Sequence, residues 1–241
     1  TDPVALIRDA DTAMYRAKSE GRGRTVVFDD ELRRRAVERQ RIESALRDAP
    51  FDGSLRLHYQ PMVELATGRL TGVEALVRWH HGGRLLGPGD FISIAEETAM
   101  IGPLGAWVLD AACAELAAWH RLDGWDHLTM SVNVSVRQLQ HDGFQDILRD
   151  VLTRTGIRAD SLTLEITESV LLDDTAMHGS RVQRLQDLGV GLAIDDFGTS
   201  YSSLTYLARL PVDVVKLDRS FLEAAGVDDG RNRMVSGVLD L

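Results

Sequence analysis

The 241-residue chain holds a single cysteine, Cys113, and only six prolines. A lone cysteine cannot close an internal disulfide, which points to a reducing compartment. It lies in the apolar run Ala111-Ala112-Cys113 and reads as a buried structural thiol rather than a reactive one. No run of 18 apolar residues occurs. The best candidate, Ala99 to Leu109, is too short to span a bilayer and runs into Asp110. A secretory signal pattern and an initiator methionine are also missing, since the chain opens with Thr1-Asp2-Pro3. That opening is expected of a cytoplasmic piece of a longer protein, whose upstream segments could carry a membrane anchor. Asp196-Phe197-Gly198 matches a kinase magnesium motif, but the chain lacks the glycine-rich phosphate loop and the His-Arg-Asp loop that kinase chemistry needs. The adjacent His80-His81 lack the i,i+4 spacing of a helical metal pair. Together with His58 and the other histidines they read as structural or surface residues.

Glycine, by contrast, is plentiful at 21 residues, which suits repeated strand–helix units with tight connections. The formal charge is −10 and is unevenly spread. Residues 1–50 carry 10 acids and 11 bases, net +1; the remainder carries 27 acids and 16 bases, net −11. A nucleic-acid polymer would be repelled by the acidic part unless metal cations intervened. Most of these acids are solvated surface, so their positions decide whether any subset does chemistry.

Along the chain, Asp11 to Lys18 reads as a helix stopped at Gly21, and Thr25 to Phe28 as a short strand. One helix and one strand make no core, so residues 1–30 look like the tail of a domain that begins upstream. Glu31 to Ala49, rich in Arg and Glu with apolar residues near helical spacing, reads as an amphipathic connecting helix over 31–50. Its Arg33-Arg34-Arg35 run reads as a solvated face. From Phe51 onward strands and helices alternate. Leu55–Gln60 and Leu70–Trp79 are strands joined by a turn at Thr67-Gly68, followed by one long helical region from Phe91 to about Arg121. Further strands are predicted at Thr129–Val134, Leu162–Ile166, Gly191–Ile194 and Val212–Leu217. Helices are predicted between them, at Ser202–Leu207 and from Arg231. The pattern predicts an α/β fold with a parallel sheet covered by helices.

The strands share a feature at their ends: Asn133, Glu165, Asp195-Asp196 and Lys216 lie at successive C-terminal ends, and Glu74 lies on the second strand. In a (β/α) barrel that rim is where sites are built. Helix capping accounts for one such acid but not for five strands in succession. Glu74, Glu165, Asp195 and Asp196 are hard oxygen ligands, and Asn133 adds an amide oxygen. That set suits Mg²⁺ or Mn²⁺ rather than Zn²⁺. Two adjacent carboxylates can serve two metals during in-line displacement at phosphorus. Lys216 would either contact an attacking water or phosphoryl oxygen there, or form a salt bridge to Asp218.

The segments Tyr59-Gln60-Pro61, Glu74-Ala75-Leu76-Val77-Arg78-Trp79, Asn133-Val134-Ser135, Glu165-Ile166-Thr167-Glu168-Ser169, Asp195-Asp196-Phe197-Gly198-Thr199 and Lys216-Leu217-Asp218 together resemble the EAL domain of bacterial cyclic-di-GMP phosphodiesterases. The resemblance covers residues 51–241 in order. It implies a (β/α)8 TIM-like barrel that hydrolyses cyclic-di-GMP to linear pGpG with two Mg²⁺ or Mn²⁺ ions. By the same resemblance, Glu74, Asn133, Glu165 and Asp195 hold the first metal, and Asp195 and Asp196 the second. Lys216 assists the water and Asp218 supports it. Gln60 and Arg78 contact substrate, and Glu168 braces the loop after Asp195-Asp196. The segments Ala10-Asp11-Thr12-Ala13-Met14-Tyr15-Arg16-Ala17-Lys18 and Gly21-Arg22-Gly23-Arg24 resemble the end of a GGDEF domain. The cyclase signature itself is absent, so no cyclase activity is implied. Upstream GGDEF and sensor domains, and a second copy of the chain, are the partners this implies.

Two departures carry expectations. Ser200 stands where the family often has glycine, a small change. The family also continues with a strand bearing a further metal-binding Glu, which does not occur before Leu241. The barrel portion is 241 − 50 = 191 residues, against about 250 for a typical barrel of this class. The given chain is therefore expected to lack the last two strands and to be inactive by itself. A non-catalytic receptor for the dinucleotide is the alternative function.

Overall fold

The structure is a computed structural model that describes residues 3–19, 23, 25–167, 176–198 and 212–220. They divide into two compact units, Thr1–Leu55 with Trp79–Met100, and Arg56–Arg78 with Ile101–Leu241.

The first unit carries helices α1 (Pro3–Ser19) and α2 (Asp30–Leu46), the short strand β3 (Arg84–Leu86) and helix α3 (Pro88–Glu97). Helix α2 starts where Asp29 accepts the Leu32 N–H at 2.7 Å, as an N-cap should. It buries Leu32, Ile42 and Leu46. Thr25 to Phe28, expected as a strand, is irregular. An isolated β-prone run has no ladder to join unless a partner edge lies beside it. Trp79 is buried, donates Nε1–H to Ser54 Oγ at 2.8 Å and meets Phe91 edge-on. Gly82 and Gly83, both at positive φ, turn the chain tightly so that Trp79 pairs with Leu86 in an antiparallel hairpin.

The second unit holds β1 (Leu55–Val63) from Arg56 on, β2 (Leu70–His81) as far as Arg78, β4 (Thr129–Asn133), β5 (Leu162–Thr167), β6 (Gly191–Phe197) and β7 (Val214–Leu217), hydrogen-bonded in that order. From β2 to β7 each neighbouring pair is parallel. Helices α4 (Ile101–Trp119), α5 (Val136–Gln140), α6 (Phe144–Thr155) and α7 (Ala176–Gln186) lie between strands in sequence. The turn at Thr67-Gly68 is present, closed by Glu64 N–H on Arg69 O and Gly68 N–H on Glu64 O. The helical region predicted from Phe91 to about Arg121 is present as two helices, α3 and α4. The chain breaks at Thr98–Met100, where Ala99 takes φ 61°.

Helix α4 is long and apolar enough by composition to cross a membrane. It runs straight through Asp110, and its Leu109, Ala112, Cys113 and Leu116 are fully buried. It packs on β4, α5 and α6, the role of a core helix. Helix α6 buries Phe144, Leu148 and Val151, one helical stripe, and stops at Gly156 with φ 69°. Predicted helices at Ser202–Leu207 and from Arg231 lie outside the described residues.

Candidate active site

Register fixes which side chains reach the same height. Glu74 of β2 pairs with Ser131 of β4, and Asn133 pairs with Glu165 of β5. Paired residues in a parallel ladder point to the same face, and alternation carries that face along each strand. Glu74, Asn133 and Glu165 are thereby brought together from three strands. Asn133 Nδ2 donates to Glu74 Oε1 at 2.8 Å, which leaves the amide oxygen as its acceptor for a cation. Beyond Asn133 the chain is held by Val134 N–H on Glu165 O at 2.8 Å.

The next strand departs from alternation. Ile194 pairs with Val215 and Phe197 with Leu217, three steps along β6 against two along β7. Asp195 and Asp196 therefore share the place opposite Lys216, a β-bulge. Asp196 adopts φ 55° to make it, and Gly198 follows at φ 95°. Left-handed backbone is uncommon for a residue with a Cβ, and Asp is among the few that tolerate it.

Lys216 closes the cluster. Its Nζ lies 2.6 Å from Glu165 Oε2, 2.9 Å from Glu74 Oε2 and 3.4 Å from Asp195 Oδ1. The salt bridge to Asp218 that spacing left open is thus replaced by contacts to three rim acids. Asp218 instead accepts the Ser220 N–H at 2.9 Å, and hydrogen bonding from the Ser220 side chain, then from this N–H, lowers its carboxyl pKa. Glu165 is 1% exposed, and burial pushes its carboxyl up to about 6 despite the lysine. Burial alone would lower the Lys216 pKa, but the hydrogen bonds it donates to Glu165 and Glu74 outweigh that and raise it well above its ordinary value. Burial, then the charges of Asp195 and Asp218, raise Asp196.

Among the described residues, no three His, Cys, Asp or Glu side chains are arranged to hold a metal ion. The point on which Glu74, Glu165 and Asp195 converge is taken by the Lys216 ammonium. The groups around it are all hard oxygens with a net negative charge. In kind and in charge the donor set fits a divalent ion such as Mg²⁺ or Mn²⁺.

Gln60 sits exposed on β1, and Arg78, half-buried on β2, donates Nη1–H to the Val77 carbonyl at 2.8 Å. Glu168 lies outside the described residues. Two supports were not foreseen from sequence. Ser135 and Gln138 cap α5 reciprocally directly after Asn133, and the Ser-x-x-Gln spacing is a signal that could have revealed them. Asp213, just before β7, accepts the Leu192 N–H at 2.8 Å. His120 and His141 hold backbone groups near them, His120 Nε2 facing Leu128 O and His141 Nδ1 accepting from Gly143 N–H.

Comparison with known proteins places this geometry in context. The EAL domain family model matches residues 43–241. NbdA of Pseudomonas aeruginosa, a cyclic di-GMP phosphodiesterase, is 43% identical over 218 residues, 90% of this chain and 28% of its own length. MucR of the same organism, a bifunctional diguanylate cyclase/cyclic di-GMP phosphodiesterase, is 40% identical over 241 residues, 98% of this chain and 34% of its own length. A solved structure of the PaMucR phosphodiesterase in a c-di-GMP complex superposes with a TM-score of 0.77 at 40% identity, covering 83% of this chain and 81% of that one. The chain spans between 26% and 38% of the length of the curated relatives it matches.

Proposed function

The chain belongs to the EAL-domain family, an α/β fold of TIM-barrel type, and we propose that it forms the phosphodiesterase region of a protein that hydrolyses cyclic-di-GMP to linear pGpG. The observation that carries this is the convergence of Glu74, Glu165 and Asp195 around the Lys216 ammonium, with Asn133 fastened to Glu74. Glu74, Asn133, Glu165 and Asp195 would hold a first Mg²⁺ or Mn²⁺, and Asp195 with Asp196 a second. Such ions activate water and neutralise charge at phosphorus.

This chain's residues supply the rest. Water's oxygen forms the new bond to phosphorus and the bond from phosphorus to the ribose O3′ breaks, leaving a 5′-phosphate and a 3′-hydroxyl. Lys216 Nζ, held by Glu165 and Glu74, orients that water and meets the charge that develops on the phosphoryl oxygens. Arg78 would pair with a phosphate oxygen and Gln60 with the substrate, while Asp218 supports Lys216 and Glu168 braces the loop after Asp196. Residues 1–30 would close a GGDEF domain, 31–50 connect it, and 51–241 form the EAL region. MucR, a bifunctional protein, supports this division because its similarity extends across nearly the whole chain. We place the region in the cytoplasm, a reading supported by the nature of the proposed substrate and by a free Cys113.

Incubation of the full-length protein with cyclic-di-GMP and Mn²⁺, followed by chromatography, should yield pGpG, and Glu74→Ala should abolish it. Binding without cleavage would make the protein a receptor instead. Equal turnover in Glu74→Ala would remove Glu74 from the site.

A further inference from the structure

Strand β7 is only four residues long, yet it must deliver Lys216 to one point among three acids. A one-residue slip would turn every side chain of such a strand to the opposite face. Something must pin its register. One end is held where Asp218 N–H reaches Phe197 O at 3.4 Å. At the other end Asp213 makes two bonds to the same residue. Its N–H donates to Leu192 O at 2.9 Å, and its Oδ2 accepts the Leu192 N–H at 2.8 Å. Leu192 is itself fully buried and paired with Leu164 of β5. The clamp is therefore anchored to the interior of the sheet. The next pairs, Ala193 with Val214 and Ile194 with Val215, are in register, and the bulge then opens opposite Lys216.

We propose that Asp213 is a positioning residue whose two-point clamp on Leu192 sets the register of β7 and so seats Lys216 among Glu74, Glu165 and Asp195. The effect on turnover rests on the phosphodiesterase reading above, but the clamp itself can be read without it. Within this chain the only lysines are Lys18 and Lys216. An amine-reactive reagent therefore reports on Lys216 with Lys18 as an internal control.

The test uses the full-length protein, with peptide mass spectrometry after brief acetic anhydride labelling. In the wild type, Lys216 should label at least tenfold more slowly than Lys18, since an ammonium held by carboxylates is a poor nucleophile. In Asp213→Ala, Lys216 labelling should rise at least fivefold and Leu192 amide hydrogen exchange at least tenfold, with Lys18 unchanged. Asp213→Asn keeps an acceptor oxygen for the Leu192 N–H and should restore both readouts to within twofold of wild type. With cyclic-di-GMP as substrate, Asp213→Ala should lose at least tenfold in kcat with KM within twofold, and Asp213→Asn should recover most of that loss. If Leu192 exchange rises in Asp213→Ala while Lys216 labelling does not, the clamp does not position Lys216 and the proposal fails. It also fails if Asp213→Asn behaves like Asp213→Ala, because charge rather than hydrogen bonding would then be at work. A wild type without turnover overturns the phosphodiesterase reading alone, and labelling and exchange still decide the clamp.

Discussion

Lys216 Nζ lies 2.6 Å from Glu165 Oε2, and that carboxylate is almost wholly buried beneath it. An ion pair in this setting is held by mutual need, because either partner alone would be a charge removed from water. Its net contribution to stability is small, while the penalty for breaking it is large.

Lys216→Met should therefore destabilise the protein by about 3–5 kcal/mol, measured by urea denaturation at pH 8. Lys216→Met combined with Glu165→Gln should recover more than half of that loss, since the one carboxylate that is almost wholly buried is then neutral. An additive double mutant would show that the two groups are independent.

Asp196→Asn should separate stability from activity. Asn accepts the left-handed backbone at φ 55° as readily as Asp. The change also removes a carboxyl whose pKa is raised by burial and then by the charges of Asp195 and Asp218. Thermal unfolding should stay within ~2 °C of wild type or rise. Turnover with Mn²⁺ should fall about 100-fold, close to 2.7 kcal/mol of transition-state stabilisation. Unaltered turnover would show that Asp196 holds no metal.

Gly105→Ala tests the support beneath Asn133. A Cβ at this buried helical position would stand 1.8 Å from Gln138 Nε2 and 2.6 Å from its Cδ. Gln138 cannot yield freely, because its Oε1 accepts the Ser135 N–H at 3.1 Å. The variant should lose about 1–3 kcal/mol, and turnover should drop as the cap next to Asn133 is disturbed. Retention of both would mean that Gln138 finds another rotamer and keeps the cap.

Cys113 gives a pH-dependent probe. Burial, reinforced by the charge of Asp110, pushes its thiol up to about 12 from an ordinary 9.0. The folded state thus keeps its proton after the unfolded state has lost it. Stability is undiminished below about pH 9 and falls as pH rises beyond it. At pH 8 the native protein should react with maleimide only as fast as it opens, at least 100-fold more slowly than in guanidinium. Rapid labelling under native conditions would show that α4 is not packed at Cys113.

The succession of strands was legible because apolar runs alternating with helical stripes are written locally; Asn133, Glu165, Asp195 and Lys216 stood near recognisable strand ends, and Glu74 on the second strand. What the sequence withheld was everything set by a partner strand. The bulge at Asp195-Asp196 exists only relative to Val215 and Leu217. Lys216 chose Glu165 and Glu74 over nearby Asp218 because pairing across strands brings residues 51 and 142 positions apart within reach. Thr25 to Phe28 had the composition of a strand but is irregular, and the Gly82-Gly83 hairpin falls between the predicted strand ending at Trp79 and the helical region from Phe91, where no element was expected.

The extra residue in β6 also decides where Phe197 points. In an unbroken strand Phe197 would share the face of Asp195 and thrust an aromatic ring among the acids. Because the bulge resets the alternation, Phe197 pairs with Leu217 on the same face as Ile194 and is 2% exposed, packed in the core. Were Asp196 drawn into the ladder without a bulge, Phe197 would rotate out of the core and into the polar rim, so a single backbone irregularity guards both the charge of the site and the dryness of the interior beside it.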